Sequence, residues 1–302
     1  MKPFSALKAV RFAVGIGLFL VSVKAIAFFV SGAASVLATL VDSLADVAVS
    51  FFTLLAIHYS LKPADFEHRY GHGKIEGLVA LGQSMVIFGG GVMLAIESVR
   101  RISVPQSVEQ PLMAAGIVGI SILFSVLLVF IQQRSLKEAP SLAVEADQSH
   151  YTTDIFLNFG VIVTLALQYW GGPSWIDPVF AIFVVFYLGM TAMRIAKKGI
   201  NMLLDRELSE EDRDQIKALI KAENRIGGYH DLRTRATGQR IEISFDVEIN
   251  PDMTLRRAHD IVKDLENRIL NHYPNADILI HKDPLGDTDD SRHHVAIHHE
   301  KH

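Results

Sequence analysis

The chain has 302 residues, a net charge of −4 and a mean hydropathy of +0.27, and half of its residues are hydrophobic. It is too apolar for an ordinary soluble domain, and its small charge gives no reason to expect a nucleic-acid partner. The absence of cysteine excludes disulfides and thiolate metal sites, so any metal site must use histidine and carboxylate ligands.

Apolar segments fill the first two thirds of the chain, and a helix needs about 20 such residues to cross a bilayer. The six predicted spans are Ala9–Val30, Val36–Tyr59, Gly77–Val99, Leu112–Gln132, Leu142–Tyr169 and Trp175–Ala196. The first follows basic residues, as a signal peptide would, but its apolar run exceeds the usual ~7–15-residue signal core. We therefore predict a retained helix.

Basic residues flank these spans unevenly. Lys2, Lys8, Arg11, Lys62, Arg69, Lys74, Arg134, Lys137, Arg194, Lys197 and Lys198 all lie on one side. The opposite loops hold Arg100 and Arg101. Because basic loops stay in the cytoplasm, both termini are predicted to be cytoplasmic.

The composition becomes charged and mixed after position 204, which predicts a membrane domain over 1–204 and a soluble domain over 205–285. Ser209 is a good N-cap for a helix to about Ala222. Strands at Tyr229–Ala236 and Arg240–Ile249, a helix at Thr254–Asn271 and a strand at Asp277–Lys282 follow. The order αββαβ predicts a small α+β sandwich. The histidine-rich stretch 286–302 is predicted to be disordered.

Two spans carry ionisable pairs at i, i+4 spacing, which places each pair on one helix face. Asp42 and Asp46 lie in the second span, and His150 and Asp154 lie in the fifth. A charged side chain at mid-membrane costs at least ~2.5–3.5 kcal/mol, so it is tolerated only when it faces a partner, water or a cation. One nitrogen and three oxygens suit Zn²⁺, and also Fe²⁺, Mn²⁺ or Cd²⁺.

Two other interpretations of these pairs remain. The side chains could simply bond between helices, or they could form a proton relay without metal. Metal binding would itself displace protons from histidine and carboxylates, so alternating access to this site would couple metal exit to proton entry. Glu145 and Asp147 precede His150 and could line the cytoplasmic entrance, but we expect a solvated helix start. Lys24 in the first span could extend to the headgroups or face the polar interior, and no role is assigned to it.

Two further groups of residues are candidate metal ligands. Asp65, His68 and His72 lie in the loop after the second span, which could equally be a plain polar loop. In the tail, His281 and Asp283 lie two apart on a strand and point the same way. His230 and His259 could converge with them, although scattered surface histidines are the alternative.

Several motifs together resemble the cation diffusion facilitator family, in its bacterial zinc and ferrous-iron efflux branch. They are DSLAD at 42–46, HRYGHGKIE at 68–76, HYTTD at 150–154, LLDREL at 203–208, HDLRTR at 230–235 and IHKDP at 280–284. The resemblance extends from the first span to about Pro284. It implies an inner-membrane homodimer of six-helix protomers, each with a cytoplasmic metallochaperone-like domain.

The resemblance also implies roles for individual residues. Asp42, Asp46, His150 and Asp154 would form the transport site, and Asp65, His68 and His72 would form a loop site. His230, His259, His281 and Asp283 would form a cytoplasmic site that bridges two subunits, and Lys74 would pair with Asp205. Where close relatives have a histidine on the second tail strand, this chain has Asp246, so the cytoplasmic cluster is expected to hold fewer ions.

We therefore expect a secondary transporter that exports Zn²⁺ or Fe²⁺, with Cd²⁺ or Mn²⁺ as further substrates, in exchange for protons. The alternative is a membrane metal sensor or scaffold that does not transport. The chain has no HExxH motif, P-loop or evident nucleophile–base pair, so an enzyme is not expected.

Overall fold

The computed structural model describes residues 4–31, 34–103, 111–169 and 176–286. The chain divides into two compact units, Met1–Leu204 and Asp205–His302. The histidine-rich end, which we predicted to be disordered, lies outside the described residues from position 287 onward.

Within the described ranges, the first unit contains six long helices. They are α1 (Phe4–Ser31), α2 (Ala34–Ser60), α3 (Ile75–Ser103), α4 (Pro111–Glu138), α5 (Leu142–Tyr169) and α6 (Ile176–Leu203). All but α5 contain, within the described residues, a segment long and apolar enough to cross a membrane. Helix α5 does not meet this criterion because Glu145, Asp147 and Asp154 lower its mean hydropathy. The predicted fold class, six membrane helices followed by a small α+β domain, is confirmed.

The helices pack through small and apolar residues. Helix α3 lies along α6, and α1 packs against α2 and α4 while α4 packs against α5. Helices α3 and α6 lie close together at two glycines, Gly77 and Gly199, where a Cβ on Gly199 would lie 2.8 Å from the carbonyl oxygen of Gly77. Large apolar side chains such as Phe52 and Phe186 remain exposed on the outer surface, as lipid contact requires.

The second unit is a three-stranded sheet covered by two helices. Its elements are α7 (Glu210–Lys221), β1 (Gly228–Thr237), β2 (Arg240–Ile249), α8 (Leu255–His272) and β3 (Ala276–Pro284). Strand β2 is central, antiparallel to β1 and parallel to β3. The parallel pair needs a crossover, which α8 provides. The predicted order αββαβ is therefore found, with strand boundaries within two residues of those expected.

Alternation along β2 decides which face of the sheet is buried. Ile243, Phe245, Val247 and Ile249 point to one face and form the core with apolar residues of α7 and α8. The residues between them, including Asp246, therefore point to the opposite, more open face. The two faces have different chemistry, and that separation determines which tail histidines can meet.

A buried carboxylate near the end of α7 predicts how this unit responds to acid. Hydrogen bonds from the Arg225 side chain, together with a bond from Arg268, lower the pKa of Glu223 to about 2. A lowered pKa stabilises the folded state above the unfolded pKa near 4.5, and this stabilisation is lost as pH falls towards 2. We expect Glu223→Gln to reduce the unfolding free energy by about 1–2 kcal/mol at pH 7, because Arg225 is half exposed and partly screened.

Urea unfolding of the cytoplasmic unit between pH 7 and pH 2.5 measures this effect. The difference between wild type and Glu223→Gln should shrink below pH 4.5. Glu266→Gln, which removes a more exposed ion pair with Lys263, is the matched control and should have little effect. A Glu223→Gln difference that is the same at pH 7 and pH 2.5 would contradict the assignment.

Candidate functional site

Three of the four predicted transport residues meet between α2 and α5. The His150 Nε2 atom lies 3.0 Å from an Asp46 carboxylate oxygen and 3.7 Å from an Asp154 oxygen. One potential ligand atom from each residue lies within 4.8 Å of the others. Their side chains are 13–20 % exposed, so the group is largely shielded but can still be reached.

The i, i+4 spacing on α5 explains this geometry. It stacks His150 and Asp154 on one face, and α2 packs against α5 so that Asp46 faces the imidazole between them. Asp42 lies one turn earlier on α2, is more exposed, and does not belong to the close group. It still interacts electrostatically with Asp46 and His150. Its role as the fourth ligand stays a prediction.

A buried polar network lies next to this group. Asp147, one turn before His150 on α5, accepts hydrogen bonds from Ser50 of α2 at 3.0 Å and from Gln132 of α4 at 2.6 Å. Ser50 also bonds the Tyr151 hydroxyl at 2.9 Å. We expected Asp147 to be solvated, and this was wrong: its side chain is fully buried, because Ser50 and Gln132 satisfy its oxygens across the helix interfaces. Glu145, by contrast, is partly exposed and pairs with Lys198.

A second buried carboxylate fixes the start of α5. Glu76 at the beginning of α3 is fully buried and accepts hydrogen bonds from Ser60 of α2 and Ser141, at 3.1 and 2.6 Å. It also accepts hydrogen bonds from the backbone N–H groups of Leu142 and Ala143 in the first turn of α5. A carboxylate at a helix N-terminus satisfies N–H groups that lack partners within the helix. Glu76 therefore ties α2 and α3 to the helix that carries His150 and Asp154.

The three predicted loop residues also come together. Asp65 lies 3.3 Å from His68 Nδ1 through one oxygen and 3.3 Å from His72 Nε2 through the other. Backbone N–H groups of His68 and Glu67 donate hydrogen bonds to the Asp65 carboxylate, which lowers its pKa by stabilising the ionised form. His72 is buried against Tyr59, and its Nδ1 has no hydrogen-bond partner among the residues that the structure describes. This local turn holds all three potential ligand atoms within 4.8 Å of one another.

In the cytoplasmic unit, four potential ligands lie on the open face of the sheet. Asp246 on β2 is in register with His230 on β1 and with His281 on β3, so it sits between the two histidines. Asp283 lies 3.3 Å from His230 Nε2 and 3.1 Å from His281 Nε2. A bulge with Asp231 at φ 51° follows His230, so the pairing of β1 with β2 shifts there. The neighbouring Asp231 also offers an oxygen to the pair of His230 and Asp246.

His259 is placed elsewhere. It lies on the exposed side of α8, in a shallow pocket with Leu255, Arg256, Asp260 and Lys282. Helix α8 packs on the core face, so the sheet separates His259 from the row centred on Asp246 within one protomer.

The predicted pair of Lys74 and Asp205 has one residue in each unit, and the contact between the two residues stays a prediction. Within its own unit, the Asp205 carboxylate accepts a hydrogen bond from the Arg235 guanidinium group at 3.1 Å.

Comparison with known proteins adds an independent observation. Residues 10–204 match the cation efflux transmembrane domain, and residues 208–285 match the cation efflux protein cytoplasmic domain. The chain is 39% identical to the cation-efflux pump FieF of Shewanella oneidensis over 92% of this chain and 93% of that protein. It is 36% identical to the FieF pump of Yersinia pestis over 91% of each chain. The metal-bound C-terminal domain of the CzcD transporter from Thermotoga maritima covers 27% of this chain and is matched over its full length, with 23% identity and a TM-score of 0.26.

Proposed function

The chain belongs to the cation efflux family, whose members are cation efflux transporters, and we propose that it exports divalent transition metals from the cytoplasm in exchange for protons. The observation that carries the proposal is the position of His150 Nε2, which faces Asp46 and Asp154 between two membrane helices. Imidazole nitrogen with carboxylate oxygens suits Zn²⁺ and Fe²⁺, with Cd²⁺ and Mn²⁺ as further substrates. Asp42 would complete the set from the adjacent turn.

The same geometry supports the proposed proton exchange. The nitrogen that bonds Asp46 at 3.0 Å is the one closest to Asp154, so it cannot donate a proton to a carboxylate and bind a metal ion at the same time. Metal entry must therefore displace a proton or a hydrogen bond from this nitrogen. If the site opens alternately to the two sides, protons that enter from outside release the metal there.

The other ligand groups fit supporting roles. We propose that Asp65, His68 and His72 bind metal at the cytoplasmic end of the membrane unit. In the cytoplasmic domains of a homodimer, His230, Asp246, His281 and Asp283 would bind a structural or regulatory ion, and His259 would reach that site only from the partner subunit. In this arrangement both termini are cytoplasmic, the membrane is the bacterial inner membrane, and Lys74 pairs with Asp205.

Asp246 should limit how many ions the cytoplasmic unit holds. It supplies an oxygen between His230 and His281, so zinc there would have fewer nitrogen ligands than it would with a histidine at position 246. We expect fewer than two Zn²⁺ per protomer in the cytoplasmic unit by calorimetric titration, and Asp246→His should raise this number. Full two-ion loading of the wild type, unchanged in Asp246→Ala, would contradict this prediction. Asp252→Ala, in an exposed turn, is a suitable control.

Transport with and without a pH gradient tests the proposal. Purified protein in vesicles should move Zn²⁺ and Fe²⁺ faster when the opposite compartment is acidic, and a pH-sensitive dye should report protons that move the other way. Metal flux that ignores the gradient and moves no protons would reject antiport. Saturable metal binding without any flux would instead favour a sensor or scaffold. A competition series with Zn²⁺, Fe²⁺, Cd²⁺ and Mn²⁺ in the same assay identifies the preferred substrate.

A further inference from the structure

A lysine is buried inside the first membrane helix, where nothing in the sequence explains it. The Lys24 side chain is 7% exposed, and its ammonium group donates a hydrogen bond to Ser43 Oγ of α2 at 2.7 Å. Ser43 is itself 2% exposed and follows Asp42 directly in the chain. Lysines near the ends of membrane helices extend towards the headgroups, but this one turns inwards to a buried hydroxyl.

One hydrogen bond to a neutral hydroxyl is poor compensation for a buried ammonium group. Removing such a charge from water costs several kcal/mol unless opposite charges lie nearby. The carboxylates that interact electrostatically with Lys24 are those of Asp42, Asp46 and Asp154. They are the three acidic residues of the proposed transport site, contributed by α2 and α5. The lysine therefore belongs to the electrostatics of that site, although it comes from a third helix.

The charges of this set match one divalent ion. Once the ligands are deprotonated for metal binding, three carboxylates and a neutral imidazole would have a net charge of −3, and the ammonium group would change this to −2. Binding of one divalent cation then leaves the group neutral, which is the least costly state in a low-dielectric interior. Without Lys24 the loaded site would keep a net charge of −1 inside the membrane and would attract the ion more strongly.

We propose that Lys24 is a positioning residue of the transport site, a fixed positive charge that matches the site to a divalent ion and weakens its hold enough for release. This inference rests on the proposed transport function. It assigns Lys24 no direct bond to the ion. The residue acts through the field it imposes on the three carboxylates and through its hold on Ser43, next to Asp42.

The consequence is a specific kinetic signature. Removing the positive charge should tighten the site and slow release, so that KM and kcat both fall. A unit charge at site distance changes the interaction with a divalent ion strongly even at the effective dielectric of a protein, and we expect KM to fall by about tenfold or more. A merely structural lysine would change protein yield or kcat without a lower KM.

The test is zinc transport by the full chain in vesicles. Lys24→Gln keeps a hydrogen-bond donor for Ser43 but removes the charge, and it should lower both KM and kcat. Lys24→Arg keeps the charge, and its KM should be closer to the wild-type value than that of Lys24→Gln. Ser43→Ala removes the hydrogen bond alone and should change KM less than Lys24→Gln does. If Lys24→Gln does not fold, as judged by size-exclusion chromatography, Lys24→Met addresses the same question.

The proposal is overturned if the uncharged variants have an unchanged or raised KM, or if Lys24→Arg behaves like Lys24→Gln. Asp154→Asn, measured in parallel, separates this failure from failure of the proposed function. An inactive Asp154→Asn beside a kinetically normal Lys24→Gln would reject only the role of Lys24. A fully active Asp154→Asn would reject the transport site itself.

Discussion

Replacing Asp154 with asparagine should reduce metal flux through the protein by about 100-fold or more. Loss of residues that merely orient a metal ligand already costs about 10- to 100-fold, and Asp154 is a proposed ligand rather than a supporting residue. The change removes one negative charge from the close group with Asp46 and His150 while keeping the shape of the side chain. Initial rates of Zn²⁺ uptake into vesicles, over a range of concentrations, measure the effect.

Thr152→Val is the matched control for this variant. The Thr152 hydroxyl donates only to the Gln148 carbonyl oxygen of its own helix among the bonds that the structure gives it, at 2.8 Å. Its loss should leave flux near wild type, because valine keeps the shape of threonine and the site is untouched. Wild-type flux in Asp154→Asn would reject the proposed transport site, whereas equal losses in both variants would indicate a general defect in α5.

Adding one methyl group at Gly199 should destabilise the membrane unit by about 1–3 kcal/mol, the usual range for overpacking. A Cβ there would lie 2.8 Å from the Gly77 carbonyl oxygen and 3.3 Å from the Leu81 backbone nitrogen, and backbone atoms cannot rotate away. Helices α3 and α6 would have to separate. We expect Gly199→Ala to lower the temperature at which half of the detergent-solubilised protein remains monodisperse.

Gly189→Ala is the control on the same helix. A Cβ at Gly189 would have nothing within 4 Å, so alanine should be neutral or slightly stabilising through its better helix propensity. Equal melting of the wild type and Gly199→Ala would show that α3 and α6 are not packed as closely as described. Equal losses in both alanine variants would indicate a helix-wide effect instead.

Hydropathy and spacing predict much of the membrane unit. Six spans are evident in the sequence, although α1, α3, α4 and α6 extend several residues past the predicted boundaries, because backbone hydrogen bonding continues where hydropathy declines. The fifth helix could be found only by tolerating its acidic residues. The i, i+4 pairs then indicate which faces are polar, and the structure brings Asp46, His150 and Asp154 of those faces together.

Contacts between distant segments lie beyond such reasoning. The hydrogen bonds of Asp147 with Ser50, and of Glu76 with Ser141, join residues 97 and 65 positions apart. Spacing within one helix does not say which neighbour a face meets, so Asp147 was expected in solvent. The tail illustrates the same limit. Strand alternation predicts that His281 and Asp283 point the same way, but the placement of His259 depends on where α8 packs.

X-ray absorption at the zinc edge tests the central claim most directly, because it reads the ligands of the bound ion. The sample is a variant of the protein, loaded with one equivalent of Zn²⁺, in which other zinc sites are removed. Residues 286–302 are deleted, and Asp65, His68, His230 and His281 are replaced by alanine. We predict four-coordinate zinc with one imidazole nitrogen and carboxylate oxygens, and loss of the imidazole signal in the further variant His150→Ala. Zinc that lacks imidazole in the first sample, or that keeps an identical spectrum after His150→Ala, would contradict the account.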